Sequence, residues 1–382
     1  MFGERNKTAR RGYALVVVLL IIMAIAVLSM GFLARSDVEL ACGENMILKT
    51  QMDYLAESAL EHAKGLILNP QDVASESWTA ARQQLFAGSN DYYDVNVAKL
   101  GELNYRITGT AYREKGGEQV GRSSLTAKLR LNPCIAVQTG SQWTTEPGTT
   151  VNGDVYAKGD LGGLGNINGD AFAAGFISAV NVQGQEYTYV AESNAPVSFP
   201  GIEISCFTPQ YYIGSNSYSS AIIDENDLND VNLGTSPIMN PAGVYYRNGN
   251  LTLSGNVTVN GTLVVTDNLT IIGTGNCITA TKNFPAVIVG GRLEMYDDAK
   301  LTITGLAQIE GEVRHTGYAG AGLSIVGALF IKQSNINGFV LGDTINVTAV
   351  PNKAAIEIRF ADGTAQRWNP AAGAFFKGIA RQ

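Results

Sequence analysis

A six-residue repeat constrains the fold of this chain more than any other feature. The segment from Gly249 to Ile278 divides into five hexads: GNLTLS, GNVTVN, GTLVVT, DNLTII and GTGNCI. Apolar residues or cysteine occupy the fifth position of every hexad, and apolar residues occupy the third position of the first four. Two inward positions separated by one outward position, at a fixed short period, are typical of stacked strands in a parallel β-helix. Glycine allows the backbone to turn at the corners between strands.

The same spacing recurs on both sides of this block, at glycines six residues apart: Gly153, Gly159 and Gly165, and more loosely Gly305, Gly311 and Gly317. We therefore predict a parallel β-helix over 133–353, interrupted by an excursion of mixed structure near 199–241. A C-terminal hairpin and tail at 354–382 is expected to close one end of the solenoid. The N-terminal part of the chain is expected to close the other end.

The N-terminus carries an uncharged run from Tyr13 to Ala34, which is long enough to cross a bilayer as one helix. A basic leader, residues 1–12, precedes the run, and acidic residues follow it. The positive-inside rule keeps the basic end in the cytoplasm, so the rest of the chain faces outward. A cleaved signal peptide would have a shorter apolar core and a small-residue cleavage site, whereas here a helical pattern continues.

That pattern predicts an extramembrane continuation of the helix over 35–69. Apolar residues recur at alternating spacings of four and three along one side of the helix. This stripe, the helix seam, includes Leu48, Met52, Leu55 and Ala59. Asn69-Pro70 is expected to end the helix, because proline cannot continue it.

A small α+β domain is predicted over 70–132. Residues 78–86 have the pattern of a short amphipathic helix. Three alternating segments near 93–97, 105–108 and 125–131 indicate half-buried strands. The predicted fold class is therefore mainly β with one long N-terminal helix: a helix and small antiparallel sheet, followed by a parallel β-helix.

The leader, Gly12, the apolar run and the extended helix together resemble the N-terminus of type IV pilins and of type II secretion pseudopilins. The resemblance implies that prepilin peptidase cuts between Gly12 and Tyr13, that the new amine is methylated, and that the helix from Tyr13 to Leu33 packs in a filament. Val17 would be the fifth mature residue, where most members carry glutamate. The K-type minor pseudopilin, a tip subunit, also lacks that glutamate.

Residues 40–59 also resemble the N-terminal domain of PilX-type minor pilins. The hexad region resembles the bactofilin β-helix and the β-helical ectodomains attached to some PilX-like proteins. Bactofilins polymerise end to end, but the insertions in this repeat argue against polymerisation of this chain.

No catalytic residues are predicted. The regular repeat carries one charged residue, Asp267, whereas β-helix polysaccharide enzymes need clustered carboxylates. His315 follows Glu310, Glu312 and Arg314, which is the nearest approach to a catalytic cluster, and His62 is expected to pack on the helix seam.

No metal or other cofactor is predicted. The acidic run 224–230 offers Asp224, Asp227 and Asp230 as weak calcium candidates, but Leu228 breaks the EF-hand spacing. A solvated acidic loop is the alternative. Calcium stays open because K-type pseudopilins can bind it. Cys134 and Cys206 are one possible disulfide pair, and isolated cysteines are the alternative.

The expected function is that of a minor pilin or pseudopilin, in a tip or priming role. It would be a single-pass inner-membrane protein with its C-terminal domain in the periplasm or outside, and would reach the cell surface after assembly. Expected partners are other pilin or pseudopilin subunits, prepilin peptidase and the inner membrane. The net charge of −7 argues against nucleic acid. The alternatives are an uncleaved, membrane-anchored bactofilin-like scaffold and a surface polysaccharide-active enzyme.

Overall fold

The computed structural model describes residues 9–68, 78–101, 103–371 and 373–381. The chain is mainly β, with one long N-terminal helix, a small antiparallel sheet and a parallel β-solenoid of about ten turns. The predicted fold class is confirmed. The leader residues 1–8 and the predicted helix stop at Asn69-Pro70 lie outside the described residues.

The helices are α1 (Ala9–Leu68) and α2 (Pro351–Ala354), with 3₁₀ turns at Glu192–Asn194 and Ile204–Phe207. The strands are β1 (Trp78–Gln83), β2 (Asp91–Gly101), β3 (Asn104–Lys115), β4 (Glu118–Leu131), β5 (Ile135–Thr139), β6 (Trp143–Thr145), β7 (Thr149–Asn152), β8 (Asp154–Ala157), β9 (Leu161–Gly163), β10 (Asn166–Ile167), β11 (Ala171–Ala173), β12 (Ile177–Ser178), β13 (Asn181–Val182), β14 (Glu186–Tyr187), β15 (Gln210–Ile213), β16 (Asn216–Ser219), β17 (Ala221–Ile222), β18 (Asp227–Leu228), β19 (Asn232–Leu233), β20 (Val244–Arg247), β21 (Leu251–Leu253), β22 (Thr258–Asn260), β23 (Thr262–Val265), β24 (Leu269–Ile271), β25 (Asn276–Thr279), β26 (Val287–Val289), β27 (Leu293–Tyr296), β28 (Lys300–Ile309), β29 (Val313–Thr316), β30 (Gly322–Ile331), β31 (Ile336–Asn337), β32 (Thr344–Ala349), β33 (Ile356–Arg359), β34 (Ala365–Trp368) and β35 (Ala374–Arg381).

The small sheet packs on the C-terminal half of α1. Its strand order is β1-β2-β3-β4-β35, and every neighbouring pair is antiparallel. The helix approaches β3 closely at Gly109, where a Cβ atom would lie 2.8 Å from the Ala56 carbonyl oxygen and 2.9 Å from the Ala59 Cβ. Small residues on both elements therefore set the distance between helix and sheet.

Two features of this sheet differ from the sequence expectations. The predicted helix over 78–86 is wrong, because β1 forms the sheet edge there and pairs with β2. A helix of nine residues is unstable without packing, whereas pairing with β2 satisfies the backbone groups of residues 78–83. The C-terminal β35 returns to pair with β4, so the chain ends in the sheet beside which it began.

The solenoid is wound in two sets of coils that are not in chain order. The first set runs from β5 through β14, and the second from β17 through β32. The last coil of the second set stacks on the first coil of the first set, with Leu329 opposite Val137 and Ile345 opposite Thr149. We call this junction between the two sets of coils the seam, which is distinct from the helix seam of α1. Along the solenoid axis the order is therefore residues 221–349 and then 135–187, and the chain enters and leaves at the seam.

A strap, residues 190–220, connects the distant ends of the two sets along the outside of the solenoid. It covers one sheet face and forms a second apolar core there with outward-facing side chains, including Tyr156, Val264, Ile288, Leu306 and Phe330. Strands β17, β18 and β19 already belong to a coil, so the excursion outside the solenoid is shorter than the expected 199–241.

The C-terminal hairpin β33–β34 forms, but it does not close a solenoid end as expected. It packs beside the strap, where β33 pairs with β15 and Trp368 stacks edge-on against Phe330 at a centroid distance of 4.8 Å. The helix and small sheet likewise join the solenoid at the seam rather than capping an end. The physical reason is the permuted coil order, which brings both connections to the middle of the solenoid.

Candidate functional sites: the N-terminal helix and the solenoid faces

Residues 13–42 of α1 have no other element packed against them in the part of the chain that the structure describes. Every side chain from residue 13 to residue 42 is exposed, including Tyr13, Val17 and Leu33. Its most apolar stretch has a mean hydropathy of 3.0, and in the described part of the chain this helix is long and apolar enough to cross a membrane. Gly12 and Tyr13 lie near the start of α1.

The second half of α1 carries the four predicted residues of the helix seam. Leu48 is half-buried, and Met52, Leu55 and Ala59 are buried against the small sheet. His62 is half-buried, and its Nδ1 lies 3.2 Å from the Tyr93 hydroxyl oxygen. The helix therefore has an exposed apolar part and a part fixed by tertiary packing.

The solenoid has three faces of different chemistry. The first, which we call the covered face, lies beneath the strap and the C-terminal hairpin. The second, the charged face, consists of strands β6, β9, β12, β18, β21, β24, β27, β29 and β31. The third, the uncharged face, consists of strands β7, β10, β13, β19, β22, β25 and β32, together with residues 302–304 of β28 and 324–326 of β30. Lys300, the first residue of β28, is exposed on the same side and lies at the border of this face.

Several carboxylates on and beside the charged face are paired with cations. Glu312 lies 3.1 Å from Arg292, and Glu310 lies 2.7 Å from Lys332. A cavity of about 310 Å³ near the hairpin holds one carboxylate, Glu357, which pairs with Arg359 and Arg367. Each of these three carboxylates therefore has at least one cationic partner within the structure.

The uncharged face presents two parallel rows of small side chains. One row crosses nine coils, in the axial order Asn232, Thr258, Cys277, Thr302, Ser324, Asn346, Thr150, Asn166 and Asn181. The second row lies two residues further along each strand, in the order Asn260, Thr279, Thr304, Val326, Thr348 and Asn152. None of these residues is charged.

Hydrogen bonds between coils hold several of these side chains in place. The Asn152 amide donates to the Thr348 hydroxyl at 3.1 Å, and the Asn168 amide donates to the Asn152 carbonyl oxygen at 2.7 Å. The Asn181 amide donates to the Asn166 oxygen at 2.8 Å. These bonds fix the side chains at the seam and in the coils beyond it, where residues 150–181 lie.

The suspected cluster around His315 does not assemble. His315 is buried, with Nδ1 2.9 Å from an Asp343 carboxylate oxygen and Nε2 2.9 Å from the Asp297 carbonyl oxygen. Asp343 also accepts three backbone N–H bonds at the adjoining corner, from Gly320, Ala321 and Val340. This buried pair fixes a corner of the solenoid, and Glu310 and Glu312 pair elsewhere.

A ladder of aspartates at another corner was not predicted from the sequence. The Asp154 carboxylate accepts the amides of Cys134 at 2.6 Å and Asp170 at 2.8 Å, and Asp170 accepts the amide of Gln185 at 2.8 Å. Burial raises the pKa of Asp154 to about 6, against the lowering effect of those two amides. The available signal was the 16-residue spacing of two Asp residues, each at the start of a coil.

The acidic run 224–230 lies in the coil of β17, β18 and β19, which forms one end of the solenoid. Asp227 accepts a hydrogen bond from the Ser254 hydroxyl, and Asp230 accepts two from Asn256, which lower the pKa of Asp230. Across residues 9–68, 78–101, 103–371 and 373–381, no group of three or more His, Cys, Asp or Glu residues is placed to hold a metal ion. All four cysteines are free.

Together these features define a class of protein: an exposed apolar N-terminal helix that carries a small sheet and a β-solenoid. No family model matches the chain, and no curated protein matches it either. Among solved structures, the chain is similar to the crystal structure of the competence-associated pilin ComZ from Thermus thermophilus, with 9% identity over 88% of this chain and 98% of that chain. The TM-score of 0.22 is too low for the likeness to bear on function.

Proposed function

We propose that this chain is a minor pilin or pseudopilin of a type IV pilus or type II secretion-like system. The observation that carries the proposal is α1, one continuous helix of 60 residues. Residues 13–34 are apolar and exposed, and one side of the C-terminal half is buried by a small antiparallel sheet. The basic leader and Gly12 come before the apolar part in the sequence, and this division of one helix is what the pilin-like N-terminal sequence leads one to expect.

In this proposal the protein acts by assembly and carries out no chemistry. The leader keeps the N-terminus in the cytoplasm, and the helix from Tyr13 to Leu33 anchors the chain in the inner membrane before assembly. Prepilin peptidase would then cut after Gly12, and the freed helix would pack with other pilin or pseudopilin subunits. Because Val17 replaces the usual glutamate and the solenoid is bulky, we assign the chain a tip or priming role.

The test is mass spectrometry of the N-terminal peptide of the native protein, taken from its own membrane fraction. The expected peptide begins at methylated Tyr13. An intact leader that begins at Met1 or Phe2 would overturn the proposal. Quantification in the same fraction addresses the tip role, because an abundance equal to that of the major pilin would refute it.

The second candidate is an uncleaved, membrane-anchored scaffold that self-associates through its solenoid. Such stacking needs strand edges that a second copy can extend. The strands at both ends are only two residues long, at β12, β13 and β14 on one end and β17, β18 and β19 on the other. Edges this short are a common protection against edge-to-edge pairing, so the geometry favours the pilin proposal.

A further inference from the structure

The uncharged face has the properties of a binding surface for a long, repeating ligand. Six coils contribute a pair of outward positions and three further coils contribute the first position alone, and strand spacing sets the separations at about 4.8 Å along the axis and about 7 Å across it. Nine coils take part, so the face is about 40 Å long but narrow. A linear polymer laid along the axis would meet a small, uncharged side chain at every coil, and a Thr, Ser or Asn side chain at eight of the nine first-row positions.

The side chains determine the chemistry of such a ligand. Threonine hydroxyls and asparagine amides both donate and accept hydrogen bonds, as sugar hydroxyls do. Nucleic acids and acidic polysaccharides require several cations, and the two rows contain none although the chain has 27 Lys and Arg residues. Lys300 borders the first row at one coil, and a single lysine does not provide a cationic track along nine coils. The hydrogen bonds between coils and the restricted χ1 rotamers of threonine reduce the entropy lost when a ligand orders these side chains.

We propose that the uncharged face binds a linear, neutral polysaccharide that runs along the solenoid axis. The other two faces do not offer this surface, since one lies beneath the strap and the other carries Arg314, Glu294 and their charged neighbours. The proposal is independent of N-terminal processing. If an uncleaved protein binds polysaccharide, the binding proposal stands and the pilin proposal fails. If a cleaved pilin does not bind polysaccharide, only the binding proposal fails.

Two threonines in one coil provide a matched pair of variants. Thr279 lies on the uncharged face and Thr270 on the charged face, and both are half-buried, outward-facing residues of internal strands. The full chain in detergent micelles is incubated with insoluble cellulose or insoluble chitin and sedimented. Thr279→Lys, Thr270→Lys and Thr279→Ser are compared, and circular dichroism confirms that each variant is folded.

We expect the unsubstituted chain to co-sediment with at least one of the two polymers. Binding should be insensitive to salt, because no ions are released. Thr279→Lys should weaken binding about tenfold, because a lysine ammonium desolvated without a partner is costly. Thr270→Lys should remain within about twofold of the unsubstituted chain, and Thr279→Ser, which retains the hydroxyl, should keep most of the binding.

Several results would overturn the proposal. They are the absence of co-sedimentation of the folded chain with both polymers, equal losses in the two lysine variants, and salt-sensitive binding that prefers polygalacturonate. Inhibition of ice recrystallisation without binding to either polymer would also overturn it, and would identify ice as the hydroxyl lattice that the face recognises.

Discussion

The raised pKa of Asp154 makes the stability of this protein depend on pH in a direction opposite to that of most aspartates. The ordinary pKa of 3.8 rises to about 6 in the folded chain, mainly through burial. The folded state therefore holds the proton more tightly than the unfolded chain. The stability that Asp154 contributes is full below pH 4 and is lost as the pH rises through about 6. At 1.36 kcal/mol per pKa unit, the loss is about 3 kcal/mol.

The assay compares the native chain with Asp154→Asn, which does not titrate. Urea unfolding of the full chain in detergent is followed by tryptophan fluorescence from pH 4 to 7.5, and Trp143, buried in the first coil, reports on the neighbouring strands. Asn loses one amide hydrogen bond at every pH, so the absolute offset between the two chains is not informative. The native-minus-variant difference in unfolding free energy should fall by about 3 kcal/mol as pH rises. A constant difference, or one that grows with pH, would refute the reasoning.

Three further outcomes are expected. Gly109→Ala should cost about 1–3 kcal/mol in thermal or urea unfolding, because its Cβ would overlap α1, whereas Gly101→Ala meets no atom within 4 Å and should cost less; equal losses would contradict this account. Trp368→Ala should cost about 3–5 kcal/mol and speed limited proteolysis of the strap, and an unchanged cleavage rate would argue against packing of the hairpin on the strap. A protease site inserted at Gly214, in the β15–β16 turn, should yield two fragments that co-elute on native size exclusion, since strand pairs across the seam hold them together; separation of the fragments would contradict the permuted coil order.

The elements with local periodicity could be predicted from the sequence. The long helix followed from its apolar run and its helix seam, and the β-solenoid followed from hexads such as the one that begins at Gly249. Strands β2, β3 and β4 followed from alternation. These signals are contained within a few turns or strands, so they do not depend on what the segment packs against. The edge strand β1 was missed because its pairing with β2, rather than its own pattern, decides its conformation.

The order of the coils could not be predicted, because the repeat specifies which side chains face inward but not which coil lies next. Val347 is paired with Val151 across the seam, and the same ladder position elsewhere carries similar residues. The threonine and asparagine rows of the regular repeat were visible in the sequence as a neutral surface. Their continuation over nine coils required the register across the seam, and the aspartate ladder at Asp154 depends on the same stacking.

The permuted winding has a consequence for how the chain acquires its structure during synthesis. The first coil to emerge has an open edge at β5 and β7, and the strands that close it, β30 and β32, arrive almost 200 residues later. The Asn152–Thr348 hydrogen bond, for example, joins residues 196 positions apart. Contacts of such long range slow folding and leave intermediates open to misassociation. The early coils remain open until residues 322–349 have been made, so the solenoid becomes complete only after both sets of coils are present.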